Sequence, residues 1–258
     1  MSEAGKSLPW LRMDQVAALI MSVLAGLGLV SPTGPANFIA RGSVGHDVSY
    51  PQCGRVLPAV SSFGIVGVAG GKPYTGNPCL TSEFAWANST SGGPSFYMNT
   101  ANPGPATHEL NWYGQRFPDT SCAPGRDAAC AYNYGYSAAA VALAYAQSHT
   151  GRSANTMWWL DVETENSWSR TDLGANVASL RGTIDFLQRQ PGVQVGIYAL
   201  RNGWARITGG ATFNLPNWVA GASNLADARA RCSPAYSITG GPVVLTQWVN
   251  GYDLNYAC

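Results

Sequence analysis

The chain has 258 residues, and hydrophobic side chains make up 46% of it, which excludes a mainly disordered protein. The formal net charge is +1, and the 15 basic and 14 acidic residues form no run of either sign, which excludes the basic patch of a nucleic-acid-binding protein. The abundance of glycine, proline and tryptophan favours an exported protein, rich in loops, that handles neutral polar ligands such as carbohydrate.

The first 40 residues have the pattern of a targeting segment. Lys6 and Arg12 precede an uncharged, mostly apolar run over 16–30, and Pro32 and Pro35 follow it. That run is shorter than the roughly 20 residues that span a bilayer, but it matches a signal-peptide core. An uncleaved membrane anchor is the alternative. We therefore expect a signal peptide or N-terminal anchor plus linker over 1–40, and one folded domain over 41–258.

Short apolar runs alternate with helical stretches along the rest of the chain. The predicted strands cover 63–69, 95–99, 156–163, 193–200, 217–221 and 243–249, and the predicted helices cover 137–148 and 172–189. This alternation is typical of βαβ units and predicts a parallel sheet or barrel. After Val219 the chain is too short for further complete βαβ units, so short loops should join the last strands. The expected fold is α/β, an irregular TIM-like (β/α) barrel with about five βα units and a helix-poor closing segment.

Six cysteines follow the targeting segment, and an even number in an exported chain predicts disulfides. The favoured pairs are Cys53–Cys79, Cys122–Cys130 and Cys232–Cys258. A zinc site is the alternative, but the sequence has no CxxC pair and its three histidines are scattered. No metal is therefore expected.

Two carboxylates end an otherwise apolar predicted strand. The two-residue period of a strand places Asp161 and Glu163 on one face, together with Trp159. Side chains at the C-terminal strand ends of a parallel barrel face the substrate pocket, where two adjacent carboxyl groups suit acid–base catalysis. The alternative is that both acids pair with arginines. Asp47 and Asp253, taken singly, are more typical of turn or capping residues.

Five short motifs follow one another along the chain. They are Asp47-Val48-Ser49-x-x-Gln52, Leu160-Asp161-Val162-Glu163, Gly196-Ile197-Tyr198, Trp218-Val219-Ala220 and Asp253-Leu254-Asn255. In these motifs and their order, the chain resembles glycoside hydrolase family 25, the lysozymes that cut the MurNAc–GlcNAc bond of peptidoglycan, over about 45–258. The resemblance implies an irregular barrel of five βα units with Glu163 as the general acid/base and Asp161 assisting at a 2-acetamido group or a second reactant. It also implies that Asp47 and Asp253 complete the acidic pocket.

Two motifs depart from the family pattern. Many members end the second strand in Ala-Thr-Glu-Gly, where this chain has Val68-Ala69-Gly70-Gly71. The third strand usually ends in Tyr-His-Phe, where this chain has Tyr97-Met98-Asn99. The departures affect the sugar subsites and leave all four acids in place.

Aromatic and amide side chains near the predicted strand ends are the candidate sugar contacts. The predicted substrate-binding residues are Tyr97, Asn99, Tyr198, Trp218, Gln247 and Trp248. Trp112 and Trp168 are further candidates because they lie in loops, whereas Trp158 is expected in the core. Glu165 is expected to lie beyond the strand end and outside the site.

Together these features predict a secreted or envelope-associated glycoside hydrolase that cuts β-1,4 bonds of a cell-wall glycan. Its expected partner is a polysaccharide, with peptidoglycan first, and we expect a monomer without cofactor, without nucleic acid and with membrane contact only through the N-terminal segment. One alternative is a non-catalytic carbohydrate-binding protein on the same barrel. Another is a hydrolase of a different 2-acetamido polymer such as chitin, because chitinases also use an Asp-x-Glu motif.

Overall fold

In a computed structural model, the described residues are 39–59, 61–104, 122, 127–151 and 156–258. They contain one closed barrel of eight strands that follow one another in chain order. The strands are β1 Val44–Val48, β2 Gly64–Gly67, β3 Pro94–Asn99, β4 Met157–Asp161, β5 Gln194–Ala199, β6 Asn217–Ala222, β7 Val243–Asn250 and β8 Tyr252–Ala257. Residues 1–38 of the predicted targeting segment lie outside the described residues, so that assignment stays a prediction. No helix within the described ranges is both long enough and apolar enough to cross a membrane.

Strands β1 to β7 pair in parallel, and β8 closes the barrel by pairing antiparallel with both β7 and β1. The prediction that the strand at 243–249 is the last one is wrong, because β8 follows it after a tight turn at Gly251 (φ +77°). The strand was missed because Asp253 and Asn255 are polar and alternate with its other residues. An apolar run, the signal used to predict strands, is therefore absent.

Five helices follow strands β2 to β6 in turn. They are α1 Leu80–Asn88, α2 Asp127–Thr150, α3 Leu173–Gln188, α4 Arg201–Thr208 and α5 Leu225–Ala230. The prediction of five βα units with a helix-poor closing segment is confirmed. Helix α2 begins well before its predicted start at residue 137, and α1, α4 and α5 were not predicted, because they are short and lack a long apolar stripe.

Helices α2 and α3 pack at unusually close range on the outside of the barrel. A β-carbon built on Gly135 of α2 would lie 1.8 Å from the carbonyl oxygen of Ser179, and one on Gly182 of α3 would lie 2.0 Å from that of Tyr132. Only glycine permits this backbone approach. The contact fixes the two long helices against each other.

The barrel separates two apolar layers. The outer layer lies between strands and helices and includes Trp158, which confirms the prediction that this residue belongs to the core. The inner layer fills the barrel, and its buried members are Phe63, Ile65, Met157, Trp159, Trp218, Leu245 and Ala257. In β4, Met157 and Trp159 belong to this inner layer, whereas Asp161 ends the strand. The barrel interior is therefore apolar toward the start of β4 and polar at its carboxyl end.

All three predicted disulfides are present, namely Cys53–Cys79, Cys122–Cys130 and Cys232–Cys258. The first joins the loops that follow β1 and β2, the second ties residue 122 to the first turns of α2, and the third fixes the C-terminus. Within the described residues no cysteine is free.

Candidate active site

An open pocket of about 420 Å³ lies at the carboxyl ends of the barrel strands. All four acids singled out in the sequence line it, namely Asp47, Asp161, Glu163 and Asp253. Five of the six predicted sugar contacts line it as well, namely Tyr97, Asn99, Tyr198, Trp218 and Gln247. Residues from β1, β3, β4, β5, β6, β7 and β8 thus meet at one mouth, as expected when parallel strands share an end.

Trp248, the sixth predicted contact, lies elsewhere. It is 7% exposed and packs with Ala222 and with Ala228 of α5, on the outer side of β7. Successive residues of a strand face opposite sides, so the inward position of Gln247 places Trp248 outside the barrel. Trp248 therefore does not line the site. Trp112, the loop candidate, lies outside the described residues.

Asp161 is held by its neighbour on β3. Asn99 and Asp161 are partners in the β3–β4 register, and Asn99 Nδ2 donates to Asp161 Oδ2 at 2.5 Å. The side chain of Asp161 is 3% exposed, and its second oxygen, Oδ1, is buried without a donor. Burial raises the pKa of Asp161 well above its usual range, and the nearby charge of Glu163 raises it further. Asp161 therefore favours its protonated form.

Glu163 lies one step further along the same face and is half-buried. Burial raises its pKa above the usual value, and the charge of Glu165 is the next largest cause. The nearby side chains of Tyr198 and Asp161 oppose this rise in part.

Asp47 sits in a continuous hydrogen-bond network. Its Oδ2 accepts from Gln247 Nε2 at 3.0 Å and from Asn255 Nδ2 at 2.6 Å. The Tyr198 hydroxyl donates to Gln247 Oε1 at 2.8 Å, and the Trp218 indole nitrogen donates to Asn255 Oδ1 at 2.7 Å. The network joins five strands and fixes the orientation of the pocket floor.

Asp47 and Asp253 form the second pair of acids. They are register partners across the antiparallel β1–β8 seam. Burial raises the pKa of Asp47 to about 7, and the charge of Asp253 contributes to that rise. Burial also raises the pKa of Asp253. Both pairs therefore retain protons at a higher pH than ordinary carboxyl groups do.

Positive charge is missing from the described walls of the pocket, because no lysine, arginine or histidine lines it. The described residues contain a single ion pair, between Arg231 and Asp227, far from these acids in the sequence. The alternative in which Asp161 and Glu163 pair with arginines is therefore contradicted for the described residues.

Sequence reasoning missed several lining residues. Glu165 lines the pocket, which corrects the expectation that it lies outside the site. Tyr50 lies inside the first motif, is 45% exposed, and lies against Gly71, whose φ is +84°. A β-carbon on Gly71 would come within 2.9 Å of the Tyr50 ring. A tyrosine at a variable position inside the Asp47 motif was the available signal.

No protein-family model matches this sequence, and no curated protein matches it. Solved structures that resemble it in fold include two lysozyme-type enzymes. The bacterial lysozyme from Streptomyces coelicolor superposes with a TM-score of 0.52 at 15% identity, covering 84% of this chain and 93% of that one. A family 25 glycosyl hydrolase from Bacillus anthracis gives a TM-score of 0.53 at 12% identity, covering 83% of this chain and 88% of that one. The chain therefore has the (β/α) barrel fold of the family 25 lysozymes.

Proposed function

We propose that this chain is an exported, monomeric glycoside hydrolase that cuts β-1,4 bonds of a cell-wall glycan, with peptidoglycan as the substrate. The observation that carries the proposal is the pair Asp161 and Glu163 at the open mouth of the barrel, with raised pKa values and no basic residue among the described lining residues. The fold shared with a bacterial lysozyme agrees with this function.

Glu163 is the proposed general acid. Cleavage of a glycosidic bond needs a carboxyl group that is still protonated near neutrality and that donates to the leaving oxygen as the carbon–oxygen bond breaks. Half-burial and the charge of Glu165 favour the protonated form of Glu163. Where a 2-acetamido group is the first nucleophile, the resulting carboxylate then takes a proton from the water that later adds to the anomeric carbon.

Asp161 is the proposed assisting group. Its hydrogen bond with Asn99 fixes its orientation, so it can position a 2-acetamido group whose carbonyl oxygen attacks the anomeric carbon. Direct attack by water, with Asp253 or Asp47 as the base, is the other route. The two routes give retained and inverted products, respectively, and analysis of the anomer first released distinguishes them.

The sugar contacts come from the same pocket. Tyr50 offers an exposed ring at the rim, and Tyr97 and Tyr198 line the wall. Trp218 is only 2% exposed, so its proposed role is to form the floor and not to stack on a sugar. Asn99 and Gln247 present amide groups to sugar hydroxyls.

The test is Glu163→Gln assayed on purified peptidoglycan by release of reducing ends, with mass analysis of the products. Glutamine keeps the shape of the side chain but has no proton to give, so activity should fall at least about 10²-fold. The matched control is Asp185→Asn on the outer helix α3, where the amide oxygen can still accept from the Tyr132 hydroxyl. The control should keep full activity.

Other outcomes would favour the alternative functions. A wild-type protein that binds wall glycans without releasing any ends is a carbohydrate-binding protein. Cleavage of chitin with no cleavage of peptidoglycan indicates a different 2-acetamido polymer. Full activity of Glu163→Gln on peptidoglycan contradicts the assigned acid.

Export is supported by the three disulfides, because such bonds persist in oxidising compartments. Non-reducing peptide mapping of protein recovered outside the cell should find Cys122–Cys130 linked. Six free thiols in that protein would contradict both the pairing and the compartment.

A further inference from the structure

A second cleft of about 780 Å³ opens beside the acidic pocket. Glu165 and Asn166 line both, so the cleft and the pocket adjoin. The cleft is formed by the loop between β4 and α3 and by α4, and Arg170 and Arg206 lie in its wall. We call it the basic cleft.

The charges of the two cavities are opposite in kind. The acidic pocket has carboxylates and no described basic residue, whereas the basic cleft has two arginines. Neither Arg170 nor Arg206 takes part in the one ion pair found among the described residues. The only acid in the cleft wall is Glu165, which is on the side shared with the acidic pocket and accepts from the Thr164 hydroxyl.

Two further side chains suit the cleft to a polar ligand. Asn166 Nδ2 is buried and donates to no acceptor. Trp168 is fixed by its indole nitrogen, which donates to the backbone oxygen of Glu163 at 2.8 Å. This hydrogen bond fixes the cleft wall to the segment that carries the proposed general acid. A ligand in the basic cleft therefore lies at a defined position relative to the acidic pocket.

We propose that the basic cleft binds a carboxylate-bearing substituent of the glycan whose sugar occupies the acidic pocket. An arginine guanidinium offers a planar fork of donors that matches a carboxylate. The two arginines attract that substituent, whereas the described lining of the pocket offers it no positive charge, so the anionic group is directed into the cleft. The inference rests on the proposed function and makes it narrower, because a neutral polymer such as chitin has no group for the cleft.

The experiment compares binding of two peptidoglycan fragments by the Glu163→Gln protein, measured by titration calorimetry. One fragment keeps its peptide and lactyl carboxylates, and in the other they are converted to neutral methylamides. The fragment with free carboxylates should bind roughly tenfold more tightly, the size expected for a charge-assisted contact. Adding Arg170→Gln and Arg206→Gln should remove that difference and leave affinity for the amidated fragment unchanged. The control is Arg181→Gln on α3, which lines neither cavity.

Equal affinity for both fragments before the arginines are changed overturns the proposal. Retention of the full difference after both are changed also overturns it. If affinity instead falls when phosphodiester polymers are stripped from the fragments and stays the same when the carboxylates are amidated, that result overturns the assignment to a carboxylate. Because the measurement is of binding, a protein that prefers the carboxylated fragment but has no hydrolytic activity contradicts the proposed function and not the cleft.

Discussion

Asn255 of β8 donates its side-chain Nδ2 to Asp47 Oδ2 of β1 at 2.6 Å, across the antiparallel seam that closes the barrel. Asn255 is fully buried, and its Oδ1 accepts from the Trp218 indole at 2.7 Å. The single amide of Asn255 therefore provides a hydrogen-bond partner both for a carboxyl group of the pocket and for the indole N–H of a ring in the inner apolar layer.

Asn255→Ala should destabilise the fold. It leaves a buried carboxyl group and a buried indole N–H each short of a partner, at about 1–3 kcal/mol for each group. The measurement is the free energy of unfolding in urea with the disulfides intact. Asn202→Ala, at an exposed position of α4, is the control and should change that free energy by less than about 0.5 kcal/mol. Equal effects of the two changes would contradict the role of Asn255.

Asp47→Asn should make the protein more stable at neutral pH. Burial raises the pKa of Asp47 in the fold to about 7, above its value in the unfolded chain, so the folded state binds the proton more tightly. The stability of the wild type therefore falls as the pH rises from about 4 through about 7, and the asparagine variant escapes this loss. Urea unfolding at pH 4, 5.5, 7 and 8 should show that the free energy of unfolding of the variant exceeds that of the wild type by an amount that grows with pH. The difference should reach a few kcal/mol at most, on the order of the pKa shift of Asp47. A gain that is the same at every pH would show that the ionisation of Asp47 is not its cause.

The parts of the fold that the sequence revealed are those with a strong apolar signal. Strands such as β4 and helix α3 are continuous or periodic in apolar residues, and both were predicted close to their observed ends. Strand β8 was missed because Asp253 and Asn255 give it a polar pattern. The short helices were missed because packing on the barrel, and not their own periodicity, stabilises them.

The residues of the acidic pocket also fall into those that the sequence revealed and those that it did not. The acids were found because Asp161 and Glu163 interrupt an apolar strand, and the motif order added Asp47 and Asp253. Three-dimensional relationships were not accessible, such as the loop path that brings Glu165 back to the pocket. Trp248 was misplaced because its nearness to a strand end was considered without the side that it faces.

Gly135→Ala should be strongly destabilising, because the added carbon would overlap the Ser179 carbonyl oxygen, which is backbone of α3 and cannot swing aside. Forcing the two helices apart would lower the free energy of unfolding by about 1–3 kcal/mol or more, the cost typical of overpacking. Gly203→Ala in α4 is the matched change, because its nearest neighbours would lie 3.7 Å away, at ordinary contact distance. It should instead stabilise by up to about 1 kcal/mol through helix propensity. Thermal unfolding of both variants checks the contrast, and destabilisation by Gly203→Ala of the same size would refute it.

Glu165→Gln should move the pH profile of hydrolysis. The charge of Glu165 helps to raise the pKa of Glu163, so its removal lowers that pKa. Glu163 acts as an acid only while protonated, and its protonated fraction falls as the pH rises through its pKa. The alkaline limb of the rate profile should therefore shift to lower pH, while the rate on its acidic side changes little.

The measurement is kcat/KM for a soluble peptidoglycan fragment across pH 4–9, at low and at high salt. Because Glu165 is exposed, its effect on Glu163 is partly screened, and the difference between wild type and variant should shrink in high salt. Asp185→Asn, remote from the pocket, should leave the limb where it is. A fall of 10²-fold or more at every pH, with no movement of the limb, would mean that Glu165 acts directly on the substrate and that its charge does not tune Glu163.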